Sequence, residues 1–208
     1  QPYSVTIKES PEYQKFHNTF VTSVNSLKKT LVGFLRDSSV DVNINALLNE
    51  ANSILAESRN GVHVFHMLNC MRDFDDLTYA HSLNVSLICN VFGKKLKFSE
   101  SEIDTLTLCG LLHDIGKLLI PSEIIDKPSS LTLEEYNTIK THPVHGYNIL
   151  KNKNLDLHII YSALMHHEKC DGTGYPNGLK NSQIDDYAKI VAIADIYDAM
   201  TSARVYRG

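Results

Sequence analysis

The chain has 208 residues, a formal net charge of −4, 43% hydrophobic and 21% charged residues, which suits one globular domain with an apolar core and at most a small appendage. So slight a negative charge supplies no long-range field to hold nucleic acid, and no apolar run approaches the roughly 20 residues that span a bilayer. Neither nucleic acid nor a membrane is therefore an expected partner of this segment. Cys70, Cys89, Cys109 and Cys170 form no CxxC pair, so the expectation is reduced thiols in a cytoplasmic setting. The chain begins without Met and stops at Arg207-Gly208 inside a pattern, and it reads as part of a longer protein.

In chain order the pattern is helical. Phe16, Phe20, Val24, Leu27, Leu31 and Leu35 draw one apolar stripe at helical spacing. Residues 1–40 are read as an N-terminal helical segment of unknown role, whose stripe buries against the domain, another copy or a missing neighbour. A second pattern, through Ile44, Leu47, Ala51 and Leu55, is expected to end near Asn60-Gly61. A third, through His81, Val85, Ile88 and Phe92, is expected to stop at Gly93. Ser99-x-x-Glu102 and Thr132-x-x-Glu135 are capping boxes, with Phe98/Ile103 and Leu131/Tyr136 as hydrophobic staples. Pro143 suits the first turn of a further helix, and later stripes run through Leu157, Ile160, Leu164 and His167 and from Ile190 to Met200. No alternating strand pattern stands out, so the fold class expected is all-α. Asp171-Gly-Thr-Gly-Tyr-Pro-Asn-Gly178 is dense in turn residues and must be a loop.

The chemistry-bearing residues sit inside these patterns. His113-Asp114 closes an apolar run, and a buried histidine beside a carboxylate needs a partner, which a divalent metal or a hydrogen-bonded helix end would supply. His166-His167 follows another apolar run. Adjacent helical residues point about 100° apart, so the two can serve one ion only where the helix is ending. Asp195 has apolar flanks, and aspartate is rarely buried unpaired. His81 lies on an inward stripe, and His142 precedes a helix. Each residue alone also fits a satisfied core histidine, a cap or a surface group.

Together these pieces resemble the HD-GYP domain phosphodiesterases, a branch of the HD superfamily of metal-dependent phosphohydrolases. The matching pieces run through residues 41–208: His81, His113-Asp-Ile-Gly-Lys117, Ile120-Pro121, Lys127-Pro128, His142-Pro143 with Gly146, His166-His-Glu168, Asp171-Gly-Thr-Gly-Tyr-Pro176 with Gly178, and Asp195-Ile-Tyr-Asp-Ala-Met-Thr201 with Arg204 and Tyr206-Arg207. The resemblance implies an HD-superfamily helical domain with a Gly-rich GYP loop, acting as a phosphodiesterase on cyclic di-GMP. The alternatives are an HD hydrolase of another cyclic dinucleotide, or a non-catalytic cyclic di-GMP-binding signalling domain.

The same resemblance implies metal ligands at His81, His113, Asp114, His142, His166, His167 and Asp195. Asp114 would bridge two divalent ions, one held by His81, His113 and Asp195, the other by His142, His166 and His167. A hydroxide held between two ions roughly 3.5–4 Å apart is a strong nucleophile at neutral pH. Iron or manganese suits the mixed N/O shell, with zinc not excluded, and affinity should fall with pH as imidazoles protonate. Lys117 would stabilise phosphate charge. Arg204 and Arg207 would meet a second phosphate or a guanine face, Tyr175 would border the site, and Asp198 would orient a ligand or water. Some family members carry a glutamate one turn before the first histidine, helping to hold a third ion. Leu77 occupies that position here, so two ions are expected. A second copy of the chain or a regulatory domain would be the protein partner.

Overall fold

The computed structural model describes residues 10–36, 41, 43–71 and 77–201. Among them no strand forms; a single isolated bridge joins Asp171 to Lys180. The all-α expectation therefore holds. Helix α1 (Pro11–Arg36) carries the N-terminal stripe, with Phe16, Phe20, Val24 and Leu27 fully buried and Leu31 nearly so. The stripe closes on Phe34 rather than Leu35, because 3.6 residues per turn brings position 34 back to the line of 27 and 31. α1 packs on α2 (Ile44–Ala56) and on α4 (Leu77–Lys95).

Two boundaries differ from the sequence expectation. Asn60-Gly61 opens a helix instead of only ending one: the Asn60 side chain accepts the His63 amide at 3.0 Å and caps α3 (Gly61–Cys70). Gly93 does not terminate α4, which continues to Lys95. There Lys97 takes the left-handed conformation at φ 63°, while Phe98 N–H bonds to Gly93 O and Lys97 N–H to Lys94 O. That is a Schellman closure with lysine where glycine is usual. Gly93 serves packing, since a Cβ there would press on Ile103 at 3.1 Å.

Both capping boxes form as expected, at the starts of α5 (Glu100–Leu112) and α7 (Leu133–Ile139), with the short α6 (Ser122–Ile125) between them. α5 is the hub. Ile103 and every residue from Leu106 to Leu112 are buried, as befits a helix apolar on all sides. It packs on α2, α4, α9 (Leu157–Met165) and α10 (Asp186–Thr201). A 3₁₀ turn, Ile115–Leu119, follows α5 and lies against α8 (His142–Leu150). The approach there is extremely close: a Cβ on Gly116 would collide with the His142 carbonyl oxygen and lie 2.5 Å from the Gly146 nitrogen. Asp185 ties the late helices together, accepting the Tyr187 and Ala188 amides at the start of α10 and pairing with His158 on α9 at 2.8 Å.

Candidate metal centre

Three helix ends and two helix faces bring eight side chains to one place. α5 runs out at Leu112, so His113 and Asp114 fall on its terminal turn, both buried. α8 begins at His142, and α9 stops at Met165, which places His166 and His167 on the turn that leaves it. His81 projects from α4, and Asp195 and Asp198 from α10. The helix end at Met165 lets adjacent histidines serve one point: donor atoms of Asp114, His142, His166 and His167 all lie within 4.8 Å of one another. Those of His81, His113 and Asp114 form a second such group.

Backbone carbonyls set the tautomers. Nδ1–H of His113 donates to Gly110 O at 2.7 Å, that of His142 to Ile139 O at 2.7 Å, and that of His166 to Ser162 O at 3.0 Å. A carbonyl only accepts, so each Nε2 is left as a lone pair turned inward. Asp114 then faces imidazole nitrogens on both sides. Its Oδ1 is 3.2 Å from His142 Nε2 and 3.6 Å from His166 Nε2, while its Oδ2 is 3.3 Å from His113 Nε2 and 3.5 Å from His81 Nε2. His142 Nε2 and His166 Nε2 themselves stand 3.2 Å apart. Asp114 Oδ1 and His113 Nε2 have no hydrogen-bond partner among the described residues. Buried acceptors converging without a donor are costly. A divalent cation would answer that cost, and this neutral-imidazole and carboxylate set fits one.

Electrostatics separates the halves. Burial, reinforced by His113 and His142, lowers His166 to about 4 despite Asp114. Burial with His166 and His142 lowers His167 to about 2. These imidazoles are neutral and ready to ligate well below ordinary histidine pH, so proton competition for that half begins later than the sequence alone implies. Across the centre, burial opposes a charged His81, but its contacts with Asp195 at 3.1 Å and Asp198 at 2.7 Å, with the field of Asp114, raise it to about 9. Asp195 contacts His81 but falls outside the tight donor groups. Burial would raise Asp114, yet Lys117 and His113 hold it well below the usual carboxylate range.

Around this core, Lys117 Nζ reaches Asp114 Oδ2 at 2.5 Å. The 3₁₀ turn explains the pairing, because positions three apart eclipse there. Lys117 is thus in register with Asp114. Asp198 takes His81 Nδ1 on one oxygen and the Asn84 side-chain amide on the other at 3.0 Å. Tyr175 stacks on His167, ring centroids 4.7 Å apart at 25°. Arg204 and Arg207 lie outside the described residues, as do Asp75 and Asp76 beside Leu77.

Sequence reasoning gave no role to Asn84 or Glu168. The Asn84 signal is its place three residues after His81 on the same helix face. Glu168 is buried, its carboxylate accepting the Asn177 amide at 2.7 Å and the Leu179 amide at 2.9 Å, so it fastens the GYP loop beside His167. Its signal is a carboxylate directly before a glycine-rich loop whose amides lack strand or helix partners. Glu168→Gln turns one of those contacts into donor against donor. The expected cost is about 1–3 kcal/mol, read as a lower melting temperature and faster hydrogen exchange at 177–179. Unchanged exchange there would show that the loop is held by other means.

A cavity of about 930 Å³ lies between α3 and the end of α4, lined by Arg59, Phe65, Val91 and Lys94 among others. None of these clustered residues borders it.

Comparison with known proteins agrees with this geometry. A family model described as an HD domain matches residues 50–208. A cyclic di-GMP phosphodiesterase of Pseudomonas aeruginosa is 37% identical over 66% of this chain and 33% of its own length. A cyclic di-GMP phosphodiesterase of Thermotoga maritima is 34% identical over 92% of this chain and 50% of its own. A 3'3'-cGAMP-specific phosphodiesterase of Vibrio cholerae is 39% identical over 68% and 33%. The chain thus spans between a third and a half of the length of these relatives. Among solved structures, an HDG"Y"P protein from Bdellovibrio bacteriovorus shares the fold with a TM-score of 0.74 at 21% identity, over 93% of this chain and 63% of that one.

Proposed function

The chain belongs to the HD domain family, and from that premise we propose that it hydrolyses a phosphodiester of cyclic di-GMP at a centre of two divalent ions. The observation that carries this reading is the placement of Asp114, whose two oxygens face two separate groups of imidazole nitrogens. The ligands of one ion would be His81, His113, Asp114 and Asp195, and of the other Asp114, His142, His166 and His167. Iron or manganese is the metal this N/O set favours, with zinc as the competitor. When bound, such ions supply a nucleophile at neutral pH and neutralise phosphate charge.

The chain's own residues do the rest. Carbonyl bonds to three Nδ1 atoms hold the ligand rings in the ligating tautomer, and Asp198 does so for His81. Lys117, a quarter exposed, is tethered to Asp114 and carries the positive charge a phosphate would meet. Glu168 and the stacked Tyr175 keep the loop against His167. No described helix is long and apolar enough to cross a membrane. A cyclic dinucleotide substrate and four free cysteines suit action in the cytoplasm.

The test is metal analysis of anaerobically purified protein, followed by turnover of cyclic di-GMP, 3'3'-cGAMP and cyclic di-AMP. Two ions per chain and preferred hydrolysis of cyclic di-GMP are expected. A stoichiometry near three would overturn the metal count, and selective turnover of another dinucleotide would overturn the substrate. Lys117→Ala should retain both ions while slowing turnover roughly tenfold or more, the loss of a charge contact worth a few kcal/mol. Metal loss in that variant would make Lys117 a structural tether for Asp114 instead.

A further inference from the structure

Beside the imidazole half of the centre lies a cluster for which the metal chemistry has no use. Tyr136 and Lys140 sit four apart at the end of α7, hence on one face. Their helix is pinned by its capping box and by Lys127, which holds Glu135 at 2.6 Å. The Lys140 ammonium stands 4.8 Å from the Tyr175 ring centre and 5.8 Å from that of Tyr136. Tyr175 in turn stacks on the ligand candidate His167. Tyr136 is 49% exposed, although aromatic surface is normally covered. Among the described residues no carboxylate pairs with Lys140, so its charge is compensated only by ring faces.

We propose that Tyr136, Lys140 and Tyr175 form the base-recognition subsite of this hydrolase, with Lys140 selecting guanine. The proposal rests on the phosphodiesterase reading and adds the element that chooses the base. In a dinucleotide whose phosphate lies at the metals, the base hangs one sugar away. The tyrosine rim directly against His167 is the aromatic surface at that remove. Exposed aromatic faces bind bases by stacking, without regard to sequence. Lys140 supplies the discrimination. An ammonium has three donors and no acceptor. Guanine presents two adjacent acceptors, O6 and N7, whereas adenine presents N7 beside the N6 donor, which an ammonium repels. A lysine held over aromatic rings therefore favours guanine and penalises adenine.

Three variants of the full chain test this: Lys140→Met, Lys140→Arg and Tyr136→Ala. Binding of fluorescently labelled cyclic di-GMP is measured in EDTA, where no turnover occurs. With manganese, kcat/KM is measured for cyclic di-GMP and for bis(p-nitrophenyl) phosphate, a diester without a base. Lys140→Met should weaken EDTA binding about tenfold or more, and lower the ratio of the two kcat/KM values by a similar factor, chiefly through KM for cyclic di-GMP. Lys140→Arg should stay within about threefold, since guanidinium keeps the charge, the donors and the ring contact. Tyr136→Ala, at an exposed position, should reproduce the binding loss even if Lys140→Met folds poorly. Both diesters falling in parallel would reduce the cluster to a brace for His167 and overturn the proposal. So would equal cyclic di-GMP binding by wild type and Lys140→Met, including none by either. If wild type turns over neither diester, the hydrolase reading fails, while the EDTA comparison still decides the subsite.

Discussion

Asp114→Ala is expected to empty the metal centre and to lower turnover on the order of 10³-fold or more. Among the described residues it is the carboxylate whose two oxygens face both imidazole groups, at 3.2–3.6 Å, so on the proposed reading its removal would take a ligand from each ion at once. Metal ions contribute several kcal/mol of charge stabilisation to phosphoryl chemistry, and each 1.36 kcal/mol is tenfold in rate. The fold should survive. Alanine leaves Lys117 free to turn to solvent from its partly exposed site, and the neutral His166 loses a neighbour but gains no charge. Circular dichroism and metal analysis of the purified variant separate the outcomes. Retention of two ions and near-normal turnover with Asp114 gone would refute the bridging role.

Gly116→Ala should be the most damaging single-methyl change in the chain. The added carbon would sit inside the contact between the 3₁₀ turn and the first turn of α8, against backbone atoms that cannot swing aside. Overpacking of this kind costs roughly 1–3 kcal/mol, more where the obstacle is backbone. For a domain of this size that is a melting temperature lowered by about 2–12 °C. The second consequence is chemical. Pushing the turn away from α8 separates Asp114 from His142, so metal affinity should fall although no ligand was altered. Gly33→Ala is the control: its Cβ would meet nothing within 4 Å, and it lies inside α1. Alanine there should be neutral or stabilising by up to about 1 kcal/mol. Equal behaviour of the two variants would mean that the close approach at Gly116 is relieved by a small backbone shift.

The helices were legible because their signals are local. The two capping boxes, the stripe from Phe16 to Leu31 and the turn-dense segment 171–178 each depend on residues within a few positions of one another. The boundaries that differed were those set by neighbours. Gly93 has the sequence of a terminator but the surroundings of a packing contact with Ile103, and Asn60 opens a helix whose periodicity is too short to announce itself. The identity of the clustered histidines and aspartates was also legible, through the order of motifs that resemble one family. So was their division between the two sides of Asp114, as the resemblance implies it. That Asn84 pairs with Asp198 behind His81 and that Glu168 fastens the loop were not, and the first depends on residues up to 117 positions apart. The sequence by itself determined the helices and singled out the histidines and aspartates that cluster, since propensity, capping and motif order are properties of neighbouring residues. Only the tertiary structure decided that Gly116 admits α8 and that Lys140 stands over Tyr175, which stacks on His167. Those facts follow from how helix ends converge in space, and no local pattern encodes that.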